Sequence, residues 1–141
     1  MPPKVSVVIP VYNVGKQLEK CLDSVVAQTF PDIEIIVVND GSTDNSPEII
    51  ARYADKDSRI VVIDKSNEGL AYARKSGIEA AQGEYIQHLD GDDFLEPDAI
   101  ELLYNKAIED AADMVVFPFW FDYVAVSYTH LRAHETKANL V

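Results

Sequence analysis

Residues 5–11, VSVVIPV, are almost wholly apolar and β-branched, and that run restricts the fold more than any other stretch. A strand with one wet face alternates apolar and polar side chains. A strand without that alternation is buried on both faces, as in a parallel sheet covered by helices. The next segments keep to this plan. Leu18, Cys21, Leu22, Val25 and Val26 recur at helical spacing and stop before Pro31. Residues 33–38 (IEIIVV) are the next strand, and a polar run with one glycine, residues 39–46, is the loop after it. Ser46-Pro47 reads as N-cap plus first helical residue, with Ile49, Ile50 and Tyr53 inward. Residues 60–63 form a third strand.

Asn67-Glu68-Gly69 then turns the chain into a helix whose inner face is Leu70, Ala73, Gly77, Ile78 and Ala81, ended by Gly83. Gly77 within that face costs about 1 kcal/mol against alanine, so another backbone is expected to approach it closely. Tyr85, Ile86 and Leu89 read as a buried fourth strand. Pro97 starts a helix with Ile100, Leu103, Ala107, Ile108 and Ala111 inward, and residues 114–117 are a fifth strand. Alternating strands and helices, joined by connections too long for hairpins, imply right-handed crossovers and an α/β fold: a mostly parallel sheet with helices on both faces. Ligands of such sheets bind beyond the carboxyl ends of the strands, where Tyr12, Asp40, Asn67 and Asp90 fall.

The chemistry concentrates at Asp90-Gly91-Asp92-Asp93, which closes the fourth strand. Residues two apart on an extended segment share a face, so Asp90 and Asp92 are expected to converge, with Gly91 allowing a sharp turn. Carboxylates that close repel one another unless a cation lies between them. A hard divalent ion such as Mg2+ or Mn2+ suits these oxygens and leaves positions open for phosphate. The competing interpretation is an acidic loop capping the next helix.

The chain has 141 residues and a net charge of -12, from 24 acidic and 12 basic residues. One domain with a full core fits that length. A nucleic-acid backbone is a poor partner for such a surface, whereas a small phosphorylated ligand held through a metal ion is not. Cys21 is the one cysteine, which excludes an internal disulfide, and its place on an apolar helix face reads as a small buried hydrophobe. Met-Pro-Pro-Lys leads straight into a strand without an apolar signal segment, and residues 114–126, broken by Pro118 and Asp122, are too short to span a membrane. A cytoplasmic domain is expected, with peripheral association at the inner membrane face open to it.

Four motifs together resemble family 2 glycosyltransferases of the GT-A fold: VSVVIPVYN, IEIIVVNDGSTDNS, NEGLAYARKSG and LDGDD, in this order and spacing. The resemblance covers residues 4–117, the nucleotide-binding half of such an enzyme, with a Rossmann-like sheet. It implies that Asp90-Gly91-Asp92 is the DxD motif, holding Mn2+ or Mg2+ against the diphosphate of a nucleotide-sugar. Asp92 would be the principal ligand, with Asp90 and Asp93 supporting it or reaching the ribose. Asp40 would accept a hydrogen bond from the base, usually uracil; Val11 and Tyr12 would pack on that base; Arg74 would be a basic residue near the nucleotide. The reaction implied is transfer of a hexosyl or N-acetylhexosaminyl group from a UDP-sugar to a hydroxyl of a glycan or lipid-linked acceptor, with inversion, as in bacterial polysaccharide and cell-wall synthesis. No residue matches the family's catalytic base. The chain is thus expected to be a donor-binding half, inactive alone and ending after the fifth strand.

Two other readings compete. One is a non-catalytic nucleotide-binding module that keeps Asp40 and the carboxylates. The other is an unrelated doubly wound domain, against which stand the missing GxGxxG loop after the first strand and the place of the carboxylates after the fourth. Residues 1–126 are expected to form the domain, and 127–141 a solvated tail of uncertain origin whose nativeness to the domain is open. His130 and His134 in that tail have helical zinc-ligand spacing but no third ligand, and Phe119, Trp120 and Phe121 are expected to mark a surface for further structure.

Overall fold

A computed structural model of the chain describes residues 1–118. The elements are β1 (Val5–Val11), α1 (Leu18–Val26), β2 (Ile33–Asp40), α2 (Ser46–Lys56), β3 (Ile60–Lys65), α3 (Leu70–Ala80), β4 (Tyr85–His88) and α4 (Ala99–Glu109). The strands make one parallel sheet in the order β3-β2-β1-β4. All seven residues of β1 are buried, because this strand has neighbours on both edges and helices on both faces. On one face Val5, Val7, Ile9 and Val11 pack with Leu18, Leu22 and Val25 of α1 and with Ile49 and Ile50 of α2. The opposite face is thinner: Ile36 and Val38 meet Ala73 of α3.

The expected elements are present, with differences that have local causes. β2 and β3 each run two residues further than expected, because the ladder continues through Asn39↔Asp64 and Asp40↔Lys65. Asn39 Nδ2 donates to Asp64 Oδ1 at 3.0 Å across that extension. Ser46 is not the cap of α2 but its first residue, and its N–H goes to Asp44 Oδ1 at 2.9 Å. On α3 only Ala73 and Gly77 are buried, whereas Leu70 and Ile78 are exposed. Gly77 does mark a close approach, but to a side chain: a Cβ there would stand 2.3 Å from Val8 Cγ1. β4 is a half-exposed edge strand with Ile86 in solvent, and only Leu89, just past it, is buried.

Two compact units are distinguished, residues 1–104 and a second from residue 105 onward. In the second, Lys106 Nζ pairs with Asp110 Oδ2 at 3.0 Å, and Ala112 N–H closes onto Ala107 O at 2.9 Å. Ile108 and Ala111, expected inward, are exposed. Residues 114–117 do not form the expected fifth strand. Their backbone joins no ladder, and Met114, Val116 and Phe117 stay exposed. Phe119, Trp120, Phe121, Asp122, His130, His134 and the expected boundary at 126/127 lie outside the described residues. Among the described residues no helix is long and apolar enough to cross a membrane.

Candidate functional site

A cleft of about 440 Å3 opens beyond the carboxyl ends of the strands, lined among others by Val11, Tyr12, Asp40, Asn67, Asp90 and Asp92. That volume lies in the range of small-molecule sites. Residues far apart in sequence are brought to one edge because every strand points the same way. Arg74 and Asp93 stand beside this cleft rather than in its lining, and each touches the acidic cluster.

One wall of the cleft is built by loops tied to each other. Asn13 follows β1 with φ 51°, a left-handed conformation that asparagine tolerates. Its Oδ1 accepts the Thr43 N–H at 2.7 Å, and its own N–H donates to Ser42 Oγ at 3.1 Å. Asp44 Oδ2 accepts the Gly15 N–H at 2.9 Å. The Ser46 hydroxyl beside Asp44, then the backbone N–H groups of Ser46 and Gly15, hold that carboxyl below its ordinary range. The Ser46 Oγ is nevertheless buried without hydrogen-bond geometry to any described group, so the N–H contacts are the firmer cause. Asp40, 3% exposed, accepts the N–H groups of Glu68 and Gly69, each at 3.0 Å. It thereby fixes the turn that starts α3, where Gly69 has φ 100°. Tyr12 is left about half exposed at the mouth.

The other wall is the acidic turn. Leu89 N–H makes the last rung, to Val8 O at 3.0 Å, and Asp93 N–H bonds Asp90 O at 3.0 Å. The carboxylates therefore converge through a turn and not, as expected, by alternation along an extended segment. Gly91 is needed for close approach: a Cβ there would be 2.9 Å from Val14 Cγ2 and 3.2 Å from Pro10 O. One oxygen from each of Asp90, Asp92 and Asp93 lies within 4.8 Å of the others. Arg74 Nη2 donates to Asp90 Oδ1 at 2.8 Å, while its buried Nε has no partner among the described residues. Burial, then the charges of Asp92 and Asp90, push the Asp93 carboxyl above its ordinary range. Partial burial and the Arg74 charge hold His88 below its usual value, against the opposing pull of Asp90.

Hard oxygen donors gathered this closely, with one member already resisting ionisation, fit a divalent ion such as Mg2+ or Mn2+. The helix-cap alternative fails on geometry, since α4 begins only at Ala99 and the Ile100 N–H is taken by Gln28 Oε1 at 3.0 Å. Cys21 is fully buried with its Sγ 3.6 Å from Asp90 O, and burial plus the three nearby carboxylates push its thiol up to about 12. It is the small buried hydrophobe expected. Sequence reasoning missed Asn13 and Asp44. The left-handed tolerance of an asparagine two residues past a strand was the available signal.

Residues 6–139 match the family profile described as Glycosyl transferase family 2. The chain belongs to that family. It is 48% identical over 113 residues to the glycosyltransferase GlyA of Streptococcus pneumoniae, covering 80% of this chain and 16% of that protein. Among solved structures, Staphylococcus aureus TarS 1-349 in complex with UDP superposes with a TM-score of 0.70 at 30% identity, over 75% of this chain and 32% of that one. The mannosyltransferase PcManGT of Pyrobaculum calidifontis, in complex with GDP-Man and Mn2+, gives 0.67 at 28% identity, over 84% of this chain and 35% of that one. The family 2 chain described here therefore spans about a third or less of the length of these relatives. The four-stranded sheet of the described residues is Rossmann-like, as in GT-A glycosyltransferases.

Proposed function

We propose that this family 2 chain is the donor-binding part of a glycosyltransferase that moves a hexosyl or N-acetylhexosaminyl group from a UDP-sugar to a hydroxyl of a glycan or lipid-linked acceptor, with inversion. One observation carries the reading: a single cleft holds the half-exposed Tyr12 ring and buried Asp40 at one wall and Asp90 and Asp92 at the other. A nucleoside diphosphate has the same polarity, with a flat neutral base at one end and concentrated negative charge at the other. In this assignment Val11 and Tyr12 pack on the base, and Asp40 accepts from it with a lone pair not used by Glu68 and Gly69. Asp92 is the main ligand of Mn2+ or Mg2+, with Asp90 and Asp93 in support. When bound, the ion supplies positive charge to the diphosphate. Arg74, already tethered at Asp90, adds a second cation beside the diphosphate position. In the transfer, the acceptor oxygen bonds to the anomeric carbon as its bond to the diphosphate oxygen breaks. The acceptor's proton leaves to a base assigned to no residue of this chain, so the isolated chain is taken to bind donor without transferring it.

Calorimetry of UDP binding in Mn2+ and in EDTA tests the reading. UDP should bind far more tightly in Mn2+, and Asp92→Asn, which removes the charge of the main ligand, should abolish most of that gain while leaving the EDTA value in place. Equal UDP affinity in Mn2+ and EDTA for the unaltered chain would sink the metal role.

A further inference from the structure

Residues 89–98 contain no helix or strand, yet they carry the acidic turn and must satisfy their backbone groups. They do so largely against one stripe of α1 and the residues just after it. Cys21 Sγ lies 3.6 Å from Asp90 O. Ser24 Oγ accepts the Leu95 N–H at 3.1 Å while donating to Cys21 O at 2.7 Å. Gln28 Nε2 donates to Glu96 O at 2.6 Å and to Ser24 O at 3.0 Å, and its Oε1 accepts the Ile100 N–H at 3.0 Å. Thr29 N–H finishes the series on Pro97 O at 3.0 Å. Gln28 is 7% exposed, so its amide is a buried group with every donor and acceptor in use.

Apolar packing secures Leu89 in the core and Leu95 against it, but not the stretch between them, where Phe94, next after the acids, is exposed. Electrostatics oppose the arrangement, because three carboxylates drawn together repel one another until a cation arrives. We propose that Ser24 and Gln28 are positioning residues for the acidic turn, holding the chain after Asp93 so that the three carboxylates stay gathered for a divalent ion. The α1 stripe does not touch the ligand. It acts through Leu95, Glu96 and Ile100, on the far side of Asp93 from β4, and thus clamps the turn at the end that the sheet does not hold. The inference rests on the proposed metal-dependent binding, and its experiment separates the two.

The experiment uses the full chain with Gln28→Met, which keeps volume and removes both kinds of bond, with Ser24→Ala, and with Ser24→Thr, which keeps a hydroxyl. Mn2+ binding is read from the loss of the free-ion electron paramagnetic resonance signal in the presence of UDP, beside UDP affinity in EDTA. Outer partners of metal ligands typically govern affinity by tenfold or more, so Gln28→Met and Ser24→Ala should each weaken Mn2+ by about tenfold. UDP in EDTA should change less than about twofold, and Ser24→Thr should restore the metal affinity. Unchanged Mn2+ affinity in Gln28→Met, or a parallel fall in EDTA, overturns the proposal. Amide exchange at Asp93 and Leu95 is measured on the same samples against Val7 in β1. Selective acceleration at Asp93 and Leu95 supports the clamp even if the unaltered chain binds no Mn2+, an outcome that would sink only the metal reading. Exchange unchanged at both amides, or accelerated equally at Val7, overturns it.

Discussion

The two walls of the cleft are built on opposite principles. At the Tyr12 wall the polar groups brought inward are bonded within the protein, the Ser46 hydroxyl excepted: Asn13 holds Thr43, Asp44 holds the Gly15 and Ser46 N–H groups, and Asp40 holds Glu68 and Gly69. At the acidic wall three carboxylates are gathered, and the Arg74 guanidinium pairs with Asp90. The first wall is largely self-satisfied, while the second gathers more negative charge than Arg74 balances. A neutral, flat ligand end needs a rigid surface, which internal hydrogen bonds supply. A charged end needs a site whose own charge is left unbalanced. The walls should therefore respond differently to substitution: loss of stability at the first, gain of stability and loss of binding at the second.

The largest effect expected on that contrast is at Asp40. Replacing it by alanine removes the acceptor of two part-buried N–H groups, those of Glu68 and Gly69, which should destabilise the fold by about 2 kcal/mol in urea unfolding. Asp40→Asn keeps one acceptor oxygen and should lose roughly half as much. If Asp40 also reads the base, UDP affinity falls in the asparagine variant while pyrophosphate affinity does not. An alanine variant as stable as the parent would show that the first wall is not held by its hydrogen bonds.

Asn13 is next. Asn13→Ala places an ordinary side chain at φ 51° and removes the acceptor for Thr43. The backbone term is about 1 kcal/mol and the lost hydrogen bond about another 1 kcal/mol, so thermal unfolding should report about 2 kcal/mol. Asn13→Gly relieves only the backbone term and should fall midway. Equal losses in the two variants would mean that conformation contributes nothing and the loop contact everything.

Much of this was legible in the sequence because it depends on short-range pattern. β1 could be read residue for residue, since a continuous β-branched run has one stable environment. The α1 stripe was equally clear at helical spacing. The inner face of α3 was misread because Leu70 and Ile78 are apolar, yet the sheet is reached only where Ala73 and Gly77 are small enough. The fifth strand failed for a related reason: β-branched composition gives strand propensity, but a strand exists only where another edge pairs with it. The carboxylate cluster was visible as a motif, while the way it gathers was not, because a turn hydrogen bond replaced the expected alternation. The roles of Asp44, Ser24 and Gln28 are contacts between distant segments that no local pattern encodes, and Asn13 left only the trace of its left-handed tolerance.

The smallest effect is also the sharpest contrast, because one aspartate in the turn or loop that builds each wall is shifted in the opposite direction. Asp44 lies below its usual 3.8, so its ionised form is favoured by the fold. The stability it contributes is present above 3.8 and disappears as pH falls through its lower folded value. Asp93 lies above 3.8, so the fold disfavours its ionised form. It costs nothing below 3.8, where it is protonated folded or unfolded, and stability is lost as pH rises from 3.8 to its higher folded value. Melting curves from acid to neutral pH, in EDTA, should therefore diverge in opposite senses. Asp44→Asn should melt below the parent at neutral pH and rejoin it in acid. Asp93→Asn should match the parent in acid and melt above it at neutral pH, by about 1–2 °C for a partly exposed group. Saturating Mn2+ should then reverse the order at neutral pH, because an ion bound only to the folded parent raises its stability by mass action, and the variant has lost a ligand. An Asp93→Asn curve that runs parallel to the parent at every pH, with and without Mn2+, would leave the acidic wall no different in kind from the other.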